Sequence, residues 1–324
     1  MVDVTALGEL LIDFTPAGTS ANSNPLYEQN PGGAPANVLT AVVRQRGTAA
    51  LISGVGEDGF GHFLCSVIKK VGIDTSGIQF VTDACTTLAF VSLDEQGNRS
   101  FNFCRKPGAD QKIQKERIPL DLLTSCTIFH FGSLSLSHEP SRTAALFAAD
   151  YAKKHGSLIS YDPNWRPPLW SSEEEGIAGM KLGLPLTDLL KLSEEELLLF
   201  TGTEDCKKGT DQLLAEFPNL KLIVVTLGPK GCFYRCGSQS GLLPTYDTKV
   251  IDTTGSGDTF WGTLLVKIAH NPEAIHEKSA ETLCEYLDAA NAAGSLCATG
   301  RGAIPSIPDT EAVKDIQRTC PRLI

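Results

Sequence analysis

The sequence predicts an α/β protein in which helices cover both faces of a mostly parallel central sheet. Short apolar runs alternate with amphipathic segments along the chain, and this alternation is typical of a parallel sheet buried between two layers of helices. The chain has 324 residues, of which 42% are hydrophobic and 20% charged, so it is long enough to bury a full core. We find no internal repeat or linker. We therefore expect one three-layer α/β/α domain over residues 1–324.

The first part of the chain sets up the alternation. The apolar runs at 2–8 and 48–53 are expected to be buried strands, and 10–15 continues the first of them in extended form. Helices are expected at 35–46, where a proline suits the first turn, and at 60–71, which ends before a glycine.

Two β-rich runs then interrupt the α/β pattern. Residues 86–93 and 99–104 are separated by turn-forming residues at 94–98, which predicts an antiparallel hairpin. A hairpin inserted in an α/β chain is often a lid. We expect a small β-sheet lid formed by segments around 10–30 and 85–106.

The alternation resumes after the hairpin. The strands predicted there are 128–131, 158–161, 189–192, 220–227 and 250–251, with a second hairpin from 233–235 and 242–244. The predicted helices are 141–155, 194–201, 258–269 and about 274–298.

Composition excludes several classes of protein. The formal net charge is −10, which argues against a protein that grips nucleic acid or an anionic membrane surface. The ten cysteines are scattered and lack zinc-ligand spacing. No secretory signal or transmembrane run is visible. These observations predict a reduced, cytoplasmic protein that contacts neither nucleic acid nor membrane.

The stretch DTTGSGD at 252–258 is the first candidate for chemistry. Gly255 and Gly257 let the backbone turn so that successive N–H groups face one point, and the helix starting near Asp258 adds the positive end of its dipole. Such a site binds negative charge. Asp258 beside it suits a base that takes a proton from a hydroxyl during phosphoryl transfer. The same pattern also fits a glycine-rich turn with an aspartate that caps a helix.

Two further glycine-rich stretches precede helices. In PGGAPAN at 31–37, Gly32 and Gly33 allow close backbone approach and Asn37 offers a donor and acceptors, which suits a neutral polyhydroxy ligand or simply a turn. GVGEDG at 54–59 matches the dinucleotide fingerprint, so a nicotinamide-dependent dehydrogenase is an alternative. However, Glu57 and Asp58 would lie where the pyrophosphate must bind.

Taken together, DTTGSGD and PGGAPAN resemble the two signatures of the ribokinase/PfkB family of carbohydrate kinases, in the right order and at about the right separation. The resemblance covers essentially the whole chain and includes GVGEDGFG, which favours it over the dehydrogenase. It implies a ribokinase-like fold, ATP and magnesium. It also implies that Asp258 is the catalytic base and that Gly255, Ser256 and Gly257 form an anion hole. The commoner family sequence has Ala where this chain has Ser256.

The resemblance also assigns the binding residues. Family members bind sugar hydroxyls at the positions of Asp13, Gly33 and Asn37, with Gly32 next to them. KLSEEE at 191–196 resembles the N-x-x-E element near the phosphates and magnesium, with Ser193 in place of Asn and Glu196 as the acid acting through water; a solvated acidic helix start is the alternative. The other implied positions are Thr226, Gly228, Gly231 and Asn291 for the nucleotide, and Asp252, Thr254 and Ser306 for a potassium ion.

The choice of sugar rests on two stretches. CRKPGAD at 104–110 and DPNWRPPLW at 162–170 are most similar to fructokinases, and Arg105 and Arg166 are placed to reach a substrate under the lid. Similar arginines occur in the related 2-keto-3-deoxygluconate kinases, where a carboxylate would use them, whereas Asp110 and Asp162 could instead pair with them. We expect an ATP-dependent 6-phosphotransferase acting on fructose; the alternatives are 2-keto-3-deoxygluconate kinase and a non-catalytic sugar sensor. A homodimer through the lid edge is also compatible with the sequence.

Overall fold

The computed structural model describes residues 1–93, 99–275 and 280–323. In this part of the chain, nine strands form one large sheet: β1 Val2–Leu7, β4 Ala49–Gly56, β5 Asp74–Val81, β8 Cys126–Gly132, β9 Leu158–Asp162, β10 Leu189–Ser193, β11 Leu222–Thr226, β12 Cys232–Cys236 and β13 Gln239–Leu243. Their order across the sheet is β13-β12-β11-β10-β9-β8-β1-β4-β5. The seven strands from β11 to β5 are parallel, and β12 and β13 add an antiparallel edge.

Ten described helices surround this sheet, in addition to short 3₁₀ turns: α1 Ala34–Arg44, α2 Gly59–Val71, α3 Leu120–Thr124, α4 Ser141–Lys154, α5 Glu173–Lys181, α6 Glu194–Thr201, α7 Cys206–Glu216, α8 Ser256–His270, α9 Ala280–Cys297 and α10 Thr310–Thr319. One large apolar cluster joins α1, α2, α8 and α9 to the sheet, and a second joins α4 to α7. Since β1 contributes Ala6 to the first cluster and Leu7 to the second, the two clusters lie on opposite faces of the sheet.

A separate sheet contains four strands: β2 Leu11–Thr19, β3 Pro25–Gly32, β6 Leu88–Leu93 and β7 Arg99–Cys104. Their order is β3-β2-β6-β7. β6 and β7 pair antiparallel, as predicted for the hairpin, while the predicted turn at 94–98 lies outside the described residues. Phe14 of β2 stacks on Phe90 of β6, with ring centroids 5.0 Å apart. The fold class expected from the sequence is confirmed: a three-layer sandwich with a small additional sheet.

Several details differ from the predicted elements. The strand predicted at 250–251 is wrong: the side chains of Val250 and Ile251 are 60% and 54% exposed, and the segment is a loop. The loop is held to the end of α9 because the N–H groups of Ile251 and Asp252 both donate to the Ala298 carbonyl. The elements β3, β5, α3, α5, α7 and α10 were not predicted individually. No described helix is long and apolar enough to cross a bilayer.

Candidate active site

A cavity of about 300 Å³ opens where the carboxyl ends of the central strands face the small sheet. Its walls come from β2, β7, β10 and the first turns of α1 and α8. Open α/β sheets bind their ligands at this edge. The predicted site residues that line the cavity are Asp13, Gly33, Asn37, Arg166, Thr254, Gly255, Gly257 and Asp258.

The glycine-rich turn before α8 forms one end of the cavity. Gly255 caps the helix with φ +76°, a left-handed conformation that favours glycine, and a Cβ at this position would lie 2.5 Å from the Cβ of Ala303. Asp252 fixes the turn, since its carboxylate accepts the N–H of Thr254 at 2.8 Å and that of Gly302 at 3.1 Å. The N–H of Ser256 donates to the Thr253 carbonyl at 3.1 Å, whereas Gly255 and Gly257 line the cavity at the positive end of the helix dipole.

Asp258 lies in the first turn of α8. Its Oδ2 accepts a hydrogen bond of 2.8 Å from the Asn37 amide, which ties α8 to α1. Burial raises the pKa of the Asp258 carboxyl, and the neighbouring Asp162 carboxylate raises it further; Asn37, Lys191 and Arg166 oppose this shift. A carboxylate with a raised pKa beside an anion-binding turn has the properties of a general base.

Polar groups for a hydroxylated ligand line the wall next to Asp258. The Oδ1 atom of Asn37 is buried and has no hydrogen-bond partner in the described part of the chain. Asp13 is partly buried, and burial raises its pKa to about 6, opposed by the Arg166 charge. A Cβ on Gly32 would overlap the Asp13 carboxylate, so glycine leaves room for that side chain. An unpaired amide oxygen and a carboxylate are the acceptors that sugar hydroxyls need.

Glu9 also lines the cavity and supports this wall. Its Oε1 accepts the N–H of Ala34 at 2.8 Å, which holds the turn at Gly33 with its φ of +113°. Glu9 is 3% exposed, and burial raises its pKa to about 7. The sequence motifs did not single out Glu9, although a charged residue directly after an apolar strand is a usable signal.

Lys191 is a second cavity residue to which the sequence motifs assigned no function. It lies on β10, and its Nζ donates to the Asp162 carboxylate at 2.7 Å. Burial alone would lower the pKa of Lys191, but the Asp162 and Glu196 carboxylates raise it, so the ammonium stays charged. The sequence did contain a signal for this role, because Lys191 is a charged residue inside a predicted apolar strand.

The two predicted arginines lie in different environments. Arg166 lines the main cavity, and its Nη1 donates to the carbonyl of Trp165 at 2.9 Å. Arg105 is 5% exposed, and its guanidinium bonds Asp110, Ser137 and the Leu134 carbonyl. Arg105 thus pairs with Asp110 and lines an adjoining cavity of about 330 Å³, whereas Asp162 pairs with Lys191 rather than with Arg166. The structure does not bring Arg105 to the wall beside Asp258.

The predicted phosphate and magnesium residues surround the start of α6. Ser193 caps the helix, and Glu196 completes a capping box by accepting the Ser193 N–H at 2.7 Å. The other Glu196 oxygen accepts the N–H of Trp165 at 2.7 Å. Glu196 is 4% exposed, and burial raises its pKa. Each carboxylate oxygen retains a lone pair that could accept a further hydrogen bond. Glu196 also holds the loop that carries Arg166.

The predicted nucleotide residues form a separate group beside these elements. Thr226 pairs with Ser193 across β10 and β11. Gly228 and Gly231 flank a short turn with φ of +54° and +91°. The amide of Asn291 donates to the carbonyls of Leu243 and Pro244 at 3.3 Å, so it braces the chain after β13.

The residues predicted to bind potassium lie near the anion-binding turn. Asp252 and Thr254 belong to the turn itself. The Ser306 hydroxyl donates to the Arg301 carbonyl at 2.9 Å, and a Cβ on Gly300 would overlap it. The loop with Ser306 thus lies against the same Gly302 segment that Asp252 holds.

The remaining glycine-rich stretch has a structural role. Asp58 caps α2 by accepting the Gly61 N–H at 2.8 Å and also accepts the N–H of Thr86 at 2.8 Å. Its carboxylate occupies the helix start where a dinucleotide would place its pyrophosphate.

Comparison with known proteins agrees with this geometry. Residues 1–310 match the pfkB family of carbohydrate kinases. The chain is 41% identical over 315 residues to probable fructokinase-4 of Arabidopsis thaliana, covering 97% of this chain and 96% of the relative.

Two solved structures are similar over nearly the whole chain. The ATP-bound fructokinase of Xylella fastidiosa has a TM-score of 0.89 at 30% identity, covering 98% of this chain and 99% of that one. A double mutant of Vibrio cholerae fructokinase, with fructose, ADP and potassium bound, has a TM-score of 0.86 at 34% identity, covering 97% and 98%. The chain therefore belongs to the pfkB family of carbohydrate kinases, ATP-dependent enzymes with the ribokinase-like fold.

Proposed function

We propose that this protein is a fructokinase that transfers the γ-phosphoryl group of ATP to the 6-hydroxyl of fructose. The observation that carries the proposal is the placement of Asp258, which shares one cavity with the anion-binding turn at Gly255 and Gly257 and with the polar wall at Asn37. The similarity to fructokinases, including one with bound fructose, supports this sugar.

The polar wall orients the sugar. Asp13 and the unpaired Oδ1 of Asn37 accept hydrogen bonds from hydroxyl groups, and the backbone at Gly32 and Gly33 allows the sugar to approach closely. Arg166 balances the charge of Asp13. Binding in this way replaces water around a carboxylate whose burial is otherwise unfavourable.

Asp258 then acts in a direct in-line transfer. As the sugar oxygen attacks the γ-phosphorus, its proton passes to the Asp258 carboxylate, and the bond from phosphorus to the ADP oxygen breaks. The N–H groups of Gly255, Ser256 and Gly257 stabilise the charge on the transferring group. Only the backbone of Ser256 is needed, so a serine at this position is compatible with the reaction.

In this proposal, ATP binds at the carboxyl ends of β10 and β11, beside α9. The residues that would contact it are Thr226, Gly228, Gly231 and Asn291, and Ser193 lies beside Thr226. The second lone pairs of the Glu196 carboxylate are compatible with a magnesium ion held through water. Magnesium would supply charge neutralisation on the phosphates.

We also propose that a potassium ion binds beside the anion-binding turn. Asp252 and Thr254 belong to the anion-binding turn, and Ser306 lies on the neighbouring loop. A cation there would stiffen the turn that carries Gly255. The potassium-bound Vibrio cholerae structure supports the proposal.

The small sheet serves as a lid in our proposal, within a single domain spanning 1–324. It already contributes Leu11, Asp13 and Phe103 to the cavity, and closing it over the sugar would exclude water from the reaction. Its edge strand β3 exposes Leu26 and Tyr27, at 44% and 47%. We propose this edge as the contact of a homodimer.

Release of ADP in the presence of different sugars tests the function. We expect fructose to give the highest kcat/KM in a panel with 2-keto-3-deoxygluconate, ribose, glucose and adenosine. The Arg105–Asp110 pair favours a neutral sugar, because Arg105 is already neutralised. A preference for 2-keto-3-deoxygluconate would indicate that Arg166 binds a carboxylate, and the absence of sugar-dependent ADP release would indicate a sensor.

A further inference from the structure

The ammonium group of Lys191 lies directly beside the anion-binding turn. The Nζ and Cε atoms are both 3.5 Å from the point where a Cβ on Gly257 would lie. Lys191 lines the same cavity as Gly255 and Asp258. The glycines of the anion-binding turn and the Lys191 side chain therefore line one volume.

The Lys191 side chain is held in place, but not all of its N–H donors have a hydrogen-bond acceptor among the described residues. It is 9% exposed and reaches the cavity from β10, a central strand of the large sheet. Among the described residues, Asp162 accepts one hydrogen bond from Nζ at 2.7 Å. An ammonium has three donors, so two N–H bonds remain for a ligand in the cavity.

Asp162 fixes the position of this cation. It ends β9, the strand next to β10, and is 2% exposed. Its second oxygen, Oδ1, has no hydrogen-bond partner in the part of the chain that the structure describes. A buried pair with an unsatisfied oxygen is a poor source of stability, but it presents a charged, preorganised donor to the cavity.

We propose that Lys191 is a further catalytic residue, which contacts the transferring phosphoryl group, and that Asp162 is its positioning residue. The inference rests on the proposed phosphoryl transfer. While the bond from phosphorus to the ADP oxygen breaks and the bond to the sugar oxygen forms, the hydroxyl proton passes to Asp258. Lys191 keeps its proton throughout and donates hydrogen bonds to the equatorial oxygens, where negative charge is distributed.

The test compares the variant Lys191→Met with the double variant Lys191→Met/Asp162→Asn. The double variant removes both buried charges, so it keeps the test valid if the single variant fails to fold. We expect kcat of the double variant to fall about 10²–10³-fold, the usual effect of losing one donor to a transition state. We expect KM for the sugar to change less than about threefold, since Lys191 contacts the phosphoryl group rather than the sugar wall.

Binding of a phosphoryl mimic provides a readout independent of turnover. Calorimetry would measure ADP binding with saturating sugar, with and without aluminium fluoride. We expect the wild type to bind ADP more tightly with aluminium fluoride, and the double variant to lose that gain while keeping its affinity for ADP alone. A merely structural lysine would change both affinities together.

Two variants control for indirect effects. Lys153→Met removes another lysine that pairs with a buried aspartate, Asp188, away from the cavity, and should leave kcat unchanged. Asp162→Asn should lower kcat less than loss of Lys191 does. The assay uses whichever sugar the wild type phosphorylates fastest, so failure of fructose as substrate is distinguishable from failure of this inference. Wild-type kcat and an intact aluminium fluoride effect in the double variant would overturn the role of Lys191.

Discussion

Replacing Asp258 by asparagine removes the proposed base with little change in shape. The Asn37 amide donates to the Asp258 carboxylate at 2.8 Å, and the side-chain oxygen of the introduced asparagine can accept the same bond. The substitution also removes a buried charge near Asp162, which contributes to the raised pKa of Asp258. The folded state should therefore be at least as stable as the wild type in the absence of ligand.

The expected loss of activity follows from the role of the base. A positioned general base contributes about 10²–10⁴-fold, which is roughly 3–5 kcal/mol of transition-state stabilisation. We expect kcat to fall by this factor in an ADP-release assay. KM for fructose should change little, because Asp13 and Asn37 bind the sugar.

A surface aspartate provides the matched control. Asp150→Asn on α4 changes a residue whose side chain is 44% exposed and pairs with Lys154, and it should leave kcat unchanged. Turnover of Asp258→Asn within a factor of two of the wild type would refute the assignment of the base. A parallel loss of sugar binding would show instead that Asp258 mainly holds the substrate.

Two further predictions concern the walls of the cavity. Gly255→Ala adds a Cβ at φ +76° against Ala303, and should cost about 1–2 kcal/mol of unfolding free energy and lower kcat at least about tenfold. Gly156→Ala, with φ +95° and open space around it, should show only the backbone part of this stability cost and unchanged kcat; equal kcat losses would contradict a role for the turn. Asp13→Asn should weaken sugar binding, measured by calorimetry. Because burial raises the pKa of Asp13 from 3.8 to about 6, the free wild type loses stability as pH rises through this range, so the variant should gain up to about 3 kcal/mol at pH 8 and almost none at pH 4. A gain independent of pH in urea denaturation would contradict this.

The parts of the fold that the sequence predicted well are those with local signals. The buried parallel strands are continuous apolar runs, and α1 and α2 begin and end at recognisable residues. In contrast, β3 contains Pro25 and Pro31 and is largely exposed, so it lacks the pattern of a strand; prolines are tolerated there because β3 is an edge strand. At Val250 and Ile251 a strand was predicted where the structure has a loop, because two adjacent β-branched residues need not be buried.

The candidate site shows the same division. Asp258, Asn37 and the glycines lie in contiguous motifs, which is why the sequence could identify them. The role of Lys191 depends on Asp162, 29 residues earlier, and this pair forms only because parallel pairing aligns the carboxyl ends of β9 and β10. The Arg105–Asp110 pair likewise became clear only when burial of both side chains was known.

Product analysis of one reaction mixture measures both products of the proposed phosphoryl transfer. Phosphorus NMR of the protein with ATP, magnesium and fructose follows ADP and sugar phosphate together. We expect one fructose 6-phosphate for each ADP with the wild type, and a rate at least about 100-fold lower with Asp258→Asn. Formation of ADP without a sugar phosphate, or equal rates in the two proteins, would contradict it.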